Sequence, residues 1–171
     1  MNPPETSPTN RLPLPEKHAS ASRAETTHFV LPGATNALGT IFGGTIMQWI
    51  DEIAAVCASR HAEGTAVTAA VDALQFLAPI QMGDLVVLRA QVNDAGHTSM
   101  EVGVRVEVED PRTGVRKKTT KAYLTFVAVD RAGRPRPVAP LRVDSDEERR
   151  RQRAARERRA HRLAVRNAAG S

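Results

Sequence analysis

The sequence predicts an α+β fold in which a curved antiparallel sheet wraps around one long central helix. Three observations support this prediction: a helical pattern over residues 45–61, a strand pattern over residues 100–109, and short turns between the strands that follow the helix. Short connections between successive strands imply antiparallel pairing. One early strand, one long helix and then four strands in succession place the helix against one face of a sheet.

The helix predicted over residues 45–61 is apolar around most of its circumference. One apolar stripe recurs at spacings of three and four residues and consists of Ile46, Ile50, Ile53 and Cys57. A second stripe, through Met47, Ala54 and Ala58, is also apolar or small, and Glu63-Gly64 ends the helix. We therefore expect other structure to surround the helix. We interpret Cys57, the only cysteine, as a core residue.

Five strands are predicted from β-rich segments that are bounded by turn residues. They span residues 26–31, 66–76, 85–92, 100–109 and 115–129. The fourth strand has the clearest pattern, because apolar residues from Met100 to Val108 alternate with residues such as Glu101 and Arg105. A period of two is typical of a half-buried strand.

The 171 residues divide into three regions. Residues 1–22 hold five of the eleven prolines and are expected to form a disordered arm. Residues 23–138 form the predicted domain. A proline-containing linker then leads to an Arg-rich tail over residues 139–171, which is predicted to be helical or disordered. Within it, Ser145 and Glu148 match a capping box at the start of a helix.

The net charge of +5 lies entirely in the tail. Residues 1–140 hold 14 Lys or Arg and 14 Asp or Glu, whereas residues 141–171 hold 10 and 5. A domain of balanced charge attracts phosphate backbones weakly, so nucleic acid is not an expected partner. We interpret the arginine run as a solvated face or an extension, although arginines can also bind phosphates.

Several function classes find no support in the sequence. No apolar run approaches the roughly 20 residues of a membrane-spanning helix, and the N-terminus lacks the pattern of a secretory signal. The single cysteine excludes a disulfide within the chain and fits a reducing compartment, so we expect a cytoplasmic protein. Gly39, Gly43 and Gly44 match neither the dinucleotide-binding nor the phosphate-loop pattern, and the five histidines lack zinc-ligand spacing. We expect neither a metal nor a cofactor.

Two features suit a catalytic site. Gly43-Gly44 precedes the helix, where free backbone N–H groups can receive an anion; the alternative is a tight turn packed against the sheet. Asp51 lies within an apolar helix, where a carboxylate costs stability unless it is hydrogen-bonded or lines a cavity. The alternative is that Asp51, like Glu52, occupies a narrow solvent-exposed face. Asn36, in the loop before the helix, is by itself a typical turn residue.

Residues on both sides of the glycine pair form one spaced motif. Its members are Asn36, Gly39, Phe42, Gly43, Gly44, Met47, Asp51 and Glu52. The motif resembles the first motif of the hotdog-fold acyl-CoA hydrolases of the YciA-like and brain acyl-CoA hydrolase type. Later segments also agree with that family: residues 67–72 with Phe76 and Pro79, Gly83-Asp84, residues 98–100 and residues 125–130. The resemblance covers about residues 23–138.

The resemblance implies hydrolysis of acyl-CoA thioesters to free CoA and a carboxylic acid. Asp51 would act as general base or as attacking carboxylate, Asn36 would orient water or the thioester, and the Gly44 N–H would hold the carbonyl oxygen. The implied substrate-binding residues are Phe42, Gly43, Thr68, Phe76 and Ser99. The resemblance also implies a homodimer or a trimer of dimers with a larger shared sheet, in which Asn36 and Asp51 meet across the interface.

The sequence departs from the family pattern at three points. Gly33-Ala34 stands where Ser or Asp often precedes the motif, Phe42 stands where some members have His, and one hotdog unit is present instead of a tandem pair. The alternative function is a non-catalytic acyl-CoA sensor on the same fold, with the basic tail binding a partner. A hydratase or dehydratase is disfavoured because the helix has no histidine placed with Asp51 as an acid–base pair.

Overall fold

A long helix and an antiparallel five-stranded sheet form the centre of the molecule, for which a computed structural model describes residues 14–169. The strands are β1 (Lys17–His18), β2 (Ala24–Phe29), β3 (Ala66–Phe76), β4 (Leu85–Ala95), β5 (Ser99–Glu109), β6 (Arg116–Ala128) and β7 (Leu141–Arg142). The main sheet has the order β2-β4-β5-β6-β3, and β1 pairs with β7 in parallel. The helices are α1 (Gly43–Ala62) and α2 (Asp146–Ala169). The predicted α+β architecture is confirmed.

One face of α1 packs against the inner face of the sheet. The buried stripe predicted from the sequence, Ile46, Ile50, Ile53 and Cys57, lies in one core cluster with Leu88 of β4 and the residues Met100, Val102, Val104 and Val106 of β5. The helix ends at Glu63, which adopts a left-handed φ of 53°. Within one chain the sheet covers one side of α1, and Met47 and Val56 on the helix remain exposed.

The outer face of the sheet is partly covered by α2. Its arginines pair with carboxylates of three strands: Arg156 with Asp94, Arg158 with Glu101 and Arg162 with Asp72. Ala155 is fully buried beneath the helix. Most of the tail, which was predicted to be either helical or disordered, is therefore helical. Its interpretation as a solvated face or extension was wrong for Arg158 and Arg162, which pair with acidic residues distant in sequence, while Arg150 and Arg153 lie on an exposed face as that interpretation held.

The folded unit begins before the predicted boundary at residue 23 and extends beyond residue 138. The Lys17 N–H donates to the carbonyl of Pro140 at 2.9 Å, and Ala19 and Ser22 are fully buried. The expectation of a disordered arm was therefore wrong for residues 17–22, while residues 1–13 lie outside the described residues. Within residues 14–169, neither helix is long and apolar enough to cross a membrane.

Acidification is expected to destabilise the fold through His61. Its ring is 1% exposed, Nε2 lies 3.0 Å from the carbonyl oxygen of Ala139, and Nδ1 has no partner among the described residues. Burial lowers the pKa of His61, so the unfolded chain takes up a proton more readily than the folded chain. The free energy of unfolding should therefore fall as the pH drops below the ordinary histidine value of about 6.5.

Urea denaturation at a series of pH values from about 8 to about 5 measures this effect. His61→Gln should weaken the pH dependence, whereas His97→Gln, at an exposed turn position, should retain it. An unchanged pH dependence in the His61 variant would contradict the prediction.

Candidate active site

Asp51 lies on the exposed face of α1 and accepts a hydrogen bond from Thr68 of β3. The distance from Thr68 Oγ1 to Asp51 Oδ1 is 2.7 Å. Because Ile50 points into the core, the next residue is turned away from it by roughly 100° along the helix. Asp51 is thus exposed, as one interpretation of the sequence held, and it also has the hydrogen-bond donor that the other interpretation required.

A β-bulge follows Thr68 directly. The pairing of β3 with β6 shifts register between Thr68 and Ala70, and again between Val71 and Ala73. Bulges change the direction of neighbouring side chains and are common beside active sites. The alternation of inward and outward side chains is therefore interrupted along β3. The sequence pattern alone did not predict that Thr68 lies beside Asp51.

Large apolar side chains are exposed near this carboxylate and near the start of α1. Met47 precedes Asp51 by about one helical turn, and Val71 follows Thr68 by three residues on β3; both are about half exposed, as is Val67, whose partner Val127 places it on the other face of the strand. Phe42 and Phe76 are exposed to a similar degree. Met47 and Phe42 thus leave apolar surface exposed on and beside the helix that carries Asp51, and exposed apolar surface of this kind can mark a ligand or partner site.

The start of α1 offers free backbone N–H groups. Phe42 is the N-cap residue and makes no side-chain cap, and no acceptor among the described residues takes a hydrogen bond from the N–H of Gly43 or Gly44. A Cβ on Gly43 would lie 3.4 Å from the Phe76 ring, whereas a Cβ on Gly44 would meet nothing within 4 Å. Neither distance is too short for a side chain, so packing within the chain does not by itself require glycine at either position. Gly44 is exposed and its N–H has no acceptor among the described residues, so this N–H is available to a ligand.

Asn36 is held within its own loop. Its Oδ1 accepts hydrogen bonds from the Leu38 and Thr40 N–H groups at 2.9 and 3.3 Å, and its Nδ2 donates to Thr40 Oγ1 at 2.8 Å. The Met82 N–H donates to the Gly39 carbonyl and ties this loop to the one before β4. One N–H of the Asn36 amide remains for another acceptor. No hydrogen bond joins Asn36 and Asp51 within the described part of one chain.

The structure places Ser99 away from the other predicted site residues. Ser99 begins β5 on the outer face of the sheet, in a small hollow that Arg159 and Arg162 of α2 also line. Asp51 and Thr68 lie on the side of α1. Met100, the next residue, is buried in the core on the side of α1, and side chains one residue apart on a strand point to opposite faces. The position of Ser99 therefore gives no support to the prediction that it lines the same substrate pocket as Asp51 and Thr68.

Cys57 takes no part in this surface. Burial raises the pKa of its thiol to about 12, so the thiolate form needed for nucleophilic attack is suppressed at neutral pH. Its interpretation as a core residue is confirmed. Within residues 14–169, no three His, Cys, Asp or Glu residues are grouped as metal ligands would be.

Comparison with known proteins places this geometry in a family. The thioesterase superfamily profile matches residues 38–115. The uncharacterized acyl-CoA thioester hydrolase YkhA of Bacillus subtilis is 42% identical over 127 residues, a match that covers 74% of each chain. This chain belongs to the acyl-CoA thioester hydrolase family.

Solved structures of family members agree with the fold in detail. An acyl-CoA hydrolase from Staphylococcus aureus, in complex with butyryl coenzyme A, coenzyme A and coenzyme A disulfide, superposes with a TM-score of 0.87 at 38% identity, covering 91% of this chain and 95% of that one. Structures also exist of its alanine variants at an asparagine, an aspartate and a threonine. An apo-hexameric acyl-CoA thioesterase superposes with a TM-score of 0.85 at 41% identity, covering 89% and 97%. The hotdog fold expected from the motif is confirmed.

Proposed function

We propose that this family member hydrolyses acyl-CoA thioesters to free CoA and a carboxylic acid, with Asp51 as the central catalytic group. The observation that carries the proposal is the Thr68–Asp51 hydrogen bond on an exposed, largely apolar surface. In the S. aureus hydrolase the replaced asparagine and aspartate are fifteen residues apart, and the aspartate and threonine seventeen apart. Asn36, Asp51 and Thr68 have the same two separations.

Each group has a distinct role in the proposed reaction. Thr68 holds Oδ1 of Asp51 and leaves Oδ2 to take a proton from water or to attack the thioester carbonyl carbon. The Gly44 N–H donates to the carbonyl oxygen as negative charge develops there, and one such donor is worth roughly 3 to 4 kcal/mol. The C–S bond then breaks, and on the general-base route the leaving CoA thiolate takes up the proton that Asp51 accepted from water. If Asp51 attacks instead, the CoA thiolate leaves first and water then hydrolyses the acyl–Asp51 anhydride, which frees the carboxylate and supplies the proton for the thiolate. Water supplies the second oxygen of the carboxylic acid, so these side chains and water suffice.

Asp51→Asn should reduce kcat for acyl-CoA hydrolysis by about a hundred- to ten-thousand-fold, because the amide neither accepts a proton from water nor attacks the carbonyl carbon. Thiol release followed with a chromogenic disulfide reagent, over a panel of acyl chain lengths, measures this. Glu52→Gln is the matched control, since Glu52 is the next residue on the exposed face and its one side-chain hydrogen bond among the described residues is from Gln48. Full turnover in a folded Asp51→Asn variant would refute the assignment, and acyl-CoA binding by the unaltered protein without thiol release would favour the sensor.

Thr68→Val should lower kcat by about tenfold to a hundredfold, because a hydrogen bond to a charged group contributes roughly 1.5 to 3 kcal/mol. Thr68→Ser retains the hydroxyl and should retain most of the activity. The pair separates orientation of Asp51 from simple packing of the side chain. Equal activity in the Val and Ser variants would show that the hydroxyl does not assist Asp51.

We further propose that the site is completed by a second copy of the chain. β3 lies at the edge of the sheet and pairs with β6 on one side only. An 11-residue edge strand with exposed Val67 and Val71 is a ready template for strand pairing. Pairing of two β3 strands would extend the sheet across both subunits and bring Asn36 of one subunit to Asp51 of the other. The hexameric relative supports a trimer of such dimers.

Mixed oligomers test this arrangement directly. Asn36→Ala and Asp51→Ala should each be nearly inactive alone, but a mixed dimer of the two contains one site in which both residues are intact. Co-expression of the differently tagged variants, followed by tandem purification, should therefore restore part of the activity. Mixed dimers that remain as inactive as the single variants would show that both residues act within one chain.

A further inference from the structure

Three cations lie opposite one another across adjacent strands on the outer face of the sheet. Arg89 of β4 is the direct partner of Arg105 of β5, and Arg105 is the direct partner of Lys121 of β6. Like charges placed directly opposite each other destabilise a sheet. A row of like charges that the fold does not need for its stability is a candidate for a functional surface.

Nearby carboxylates neutralise this row only in part. Arg89 donates to Glu25 at 2.5 Å and to Glu107 at 3.4 Å. Arg105 has Glu107 as its nearest carboxylate among the described residues, at 3.7 Å, which is too long for a hydrogen bond. The Lys121 ammonium group lies 4.8 Å from the centre of a tyrosine ring and makes no ion pair within residues 14–169. Positive charge therefore remains on Arg105 and Lys121.

A groove of about 910 Å³ separates this row from α2. Lys118 of β6 and Arg150 of α2 also line it, and in the described part of the chain neither forms an ion pair. In total the groove is lined by eight lysines or arginines and three glutamates. The pKa of Glu147 at its edge is lowered, first by a hydrogen bond from Arg151 and then by the charges of Arg105 and Arg150. Arg105 on the sheet and Arg150 on α2 are thus both close enough to Glu147 to stabilise its charged form.

The size and lining of the groove indicate the kind of ligand. Pockets of roughly 300 to 1,000 Å³ hold small molecules, so the groove suits a nucleotide-sized ligand better than a duplex. Tyr123 on its floor is covered by the Arg158 guanidinium, 3.6 Å from the ring centre, which closes that ring face to a nucleobase. Recognition would rest on phosphates, for which arginines supply planar N–H donors.

We propose that this groove, between α2 and the outer face of the sheet, binds a chain of phosphate groups, supplied by a free oligophosphate or by a nucleotide. α1 packs on the inner face of the sheet and carries Asp51, whereas the groove lies on the outer face, so the sheet separates the groove from the Asp51 of the same chain. The site is thus additional to the proposed hydrolytic site, and its occupation does not depend on hydrolysis.

Titration calorimetry of the full chain with tripolyphosphate, ATP and adenosine tests the proposal. Tripolyphosphate and ATP should bind, adenosine should not, and affinity should fall as salt is added. Similar affinities for the first two ligands would identify a free oligophosphate as a sufficient source, whereas tighter ATP binding would identify a nucleotide. Absence of tripolyphosphate binding, or binding of adenosine as tight as that of ATP, would overturn the proposal.

Charge-matched variants locate the binding. Arg105→Gln and Lys118→Gln should each weaken tripolyphosphate binding by about tenfold, the effect of losing one hydrogen bond to a charged group. Lys117→Gln removes the same charge one residue away, but Lys117 is paired with Val108 and does not line the groove, so its effect should stay below about twofold. Equal weakening at residues 117 and 118 would show diffuse attraction and overturn the assignment.

Steady-state kinetics separate this groove from the substrate site. Without added oligophosphate, Arg105→Gln should leave kcat and KM for acyl-CoA unchanged, with circular dichroism confirming the fold. A rise in KM that parallels the loss of tripolyphosphate binding would make the groove part of the substrate site and refute an additional site. If the protein hydrolysed no acyl-CoA, the calorimetric result would still stand.

Discussion

Ile46, Ile50 and Ile53 of α1 pack against the inner face of the sheet, and the positions of the other groups follow from this contact. Burying each such side chain contributes roughly 1.5 to 3 kcal/mol, which is large compared with any single exposed interaction in the molecule. The contact sets the rotation of α1 about its axis. That rotation keeps Asp51 out of the core beneath the helix. It directs the carboxylate sideways, towards Thr68 on the edge strand β3.

The same contact explains why charge accumulates on the opposite side of the sheet. With the apolar residues of β4 and β5 committed to α1, the alternate positions face outwards and carry groups such as Glu101 and Arg105. Glu101 is buried there because Arg158 donates to it at 2.6 Å and Asn93 at 3.0 Å. Unpaired, a carboxylate at that depth would cost several kcal/mol. α2 therefore neutralises the acidic groups of this face and leaves the cationic row uncovered.

Periodicity was sufficient to predict α1 and the sheet, since both depend on local patterns of apolar residues. β3 was predicted at residues 66–76 as observed, and the strand predicted at 100–109 begins one residue earlier. The docking of α2 could not be predicted in this way. Its arginines have partners 57 to 90 residues away, and a run of arginines has the same composition whether it is solvated or paired.

The site was predictable only in part for a related reason. The motif made Asn36, Gly44 and Asp51 candidates for the site, because members of a family share the spacing of such residues. The contact of Asp51 with Thr68 joins polar residues of a helix and a separate strand, and the periodicity of apolar residues does not specify such a pair. Ser99 was grouped with these residues by sequence likeness, but the alternation of β5 directs it to the face that α2 covers.

β3 connects the two faces of the molecule. Thr68 contacts Asp51 on the side of α1, and four residues later Asp72 accepts hydrogen bonds from Arg162 of α2 and from Thr125 of β6. Each of these β3 residues adjoins a register shift, so the strand twists between its two attachments. The ladder to β6 holds β3 along its length on one side, and the Asp72 contact adds a side-chain anchor at the second register shift. The ion pair to α2 therefore helps to position the strand that orients Asp51, and it does so without covering the open edge at which a second copy would pair.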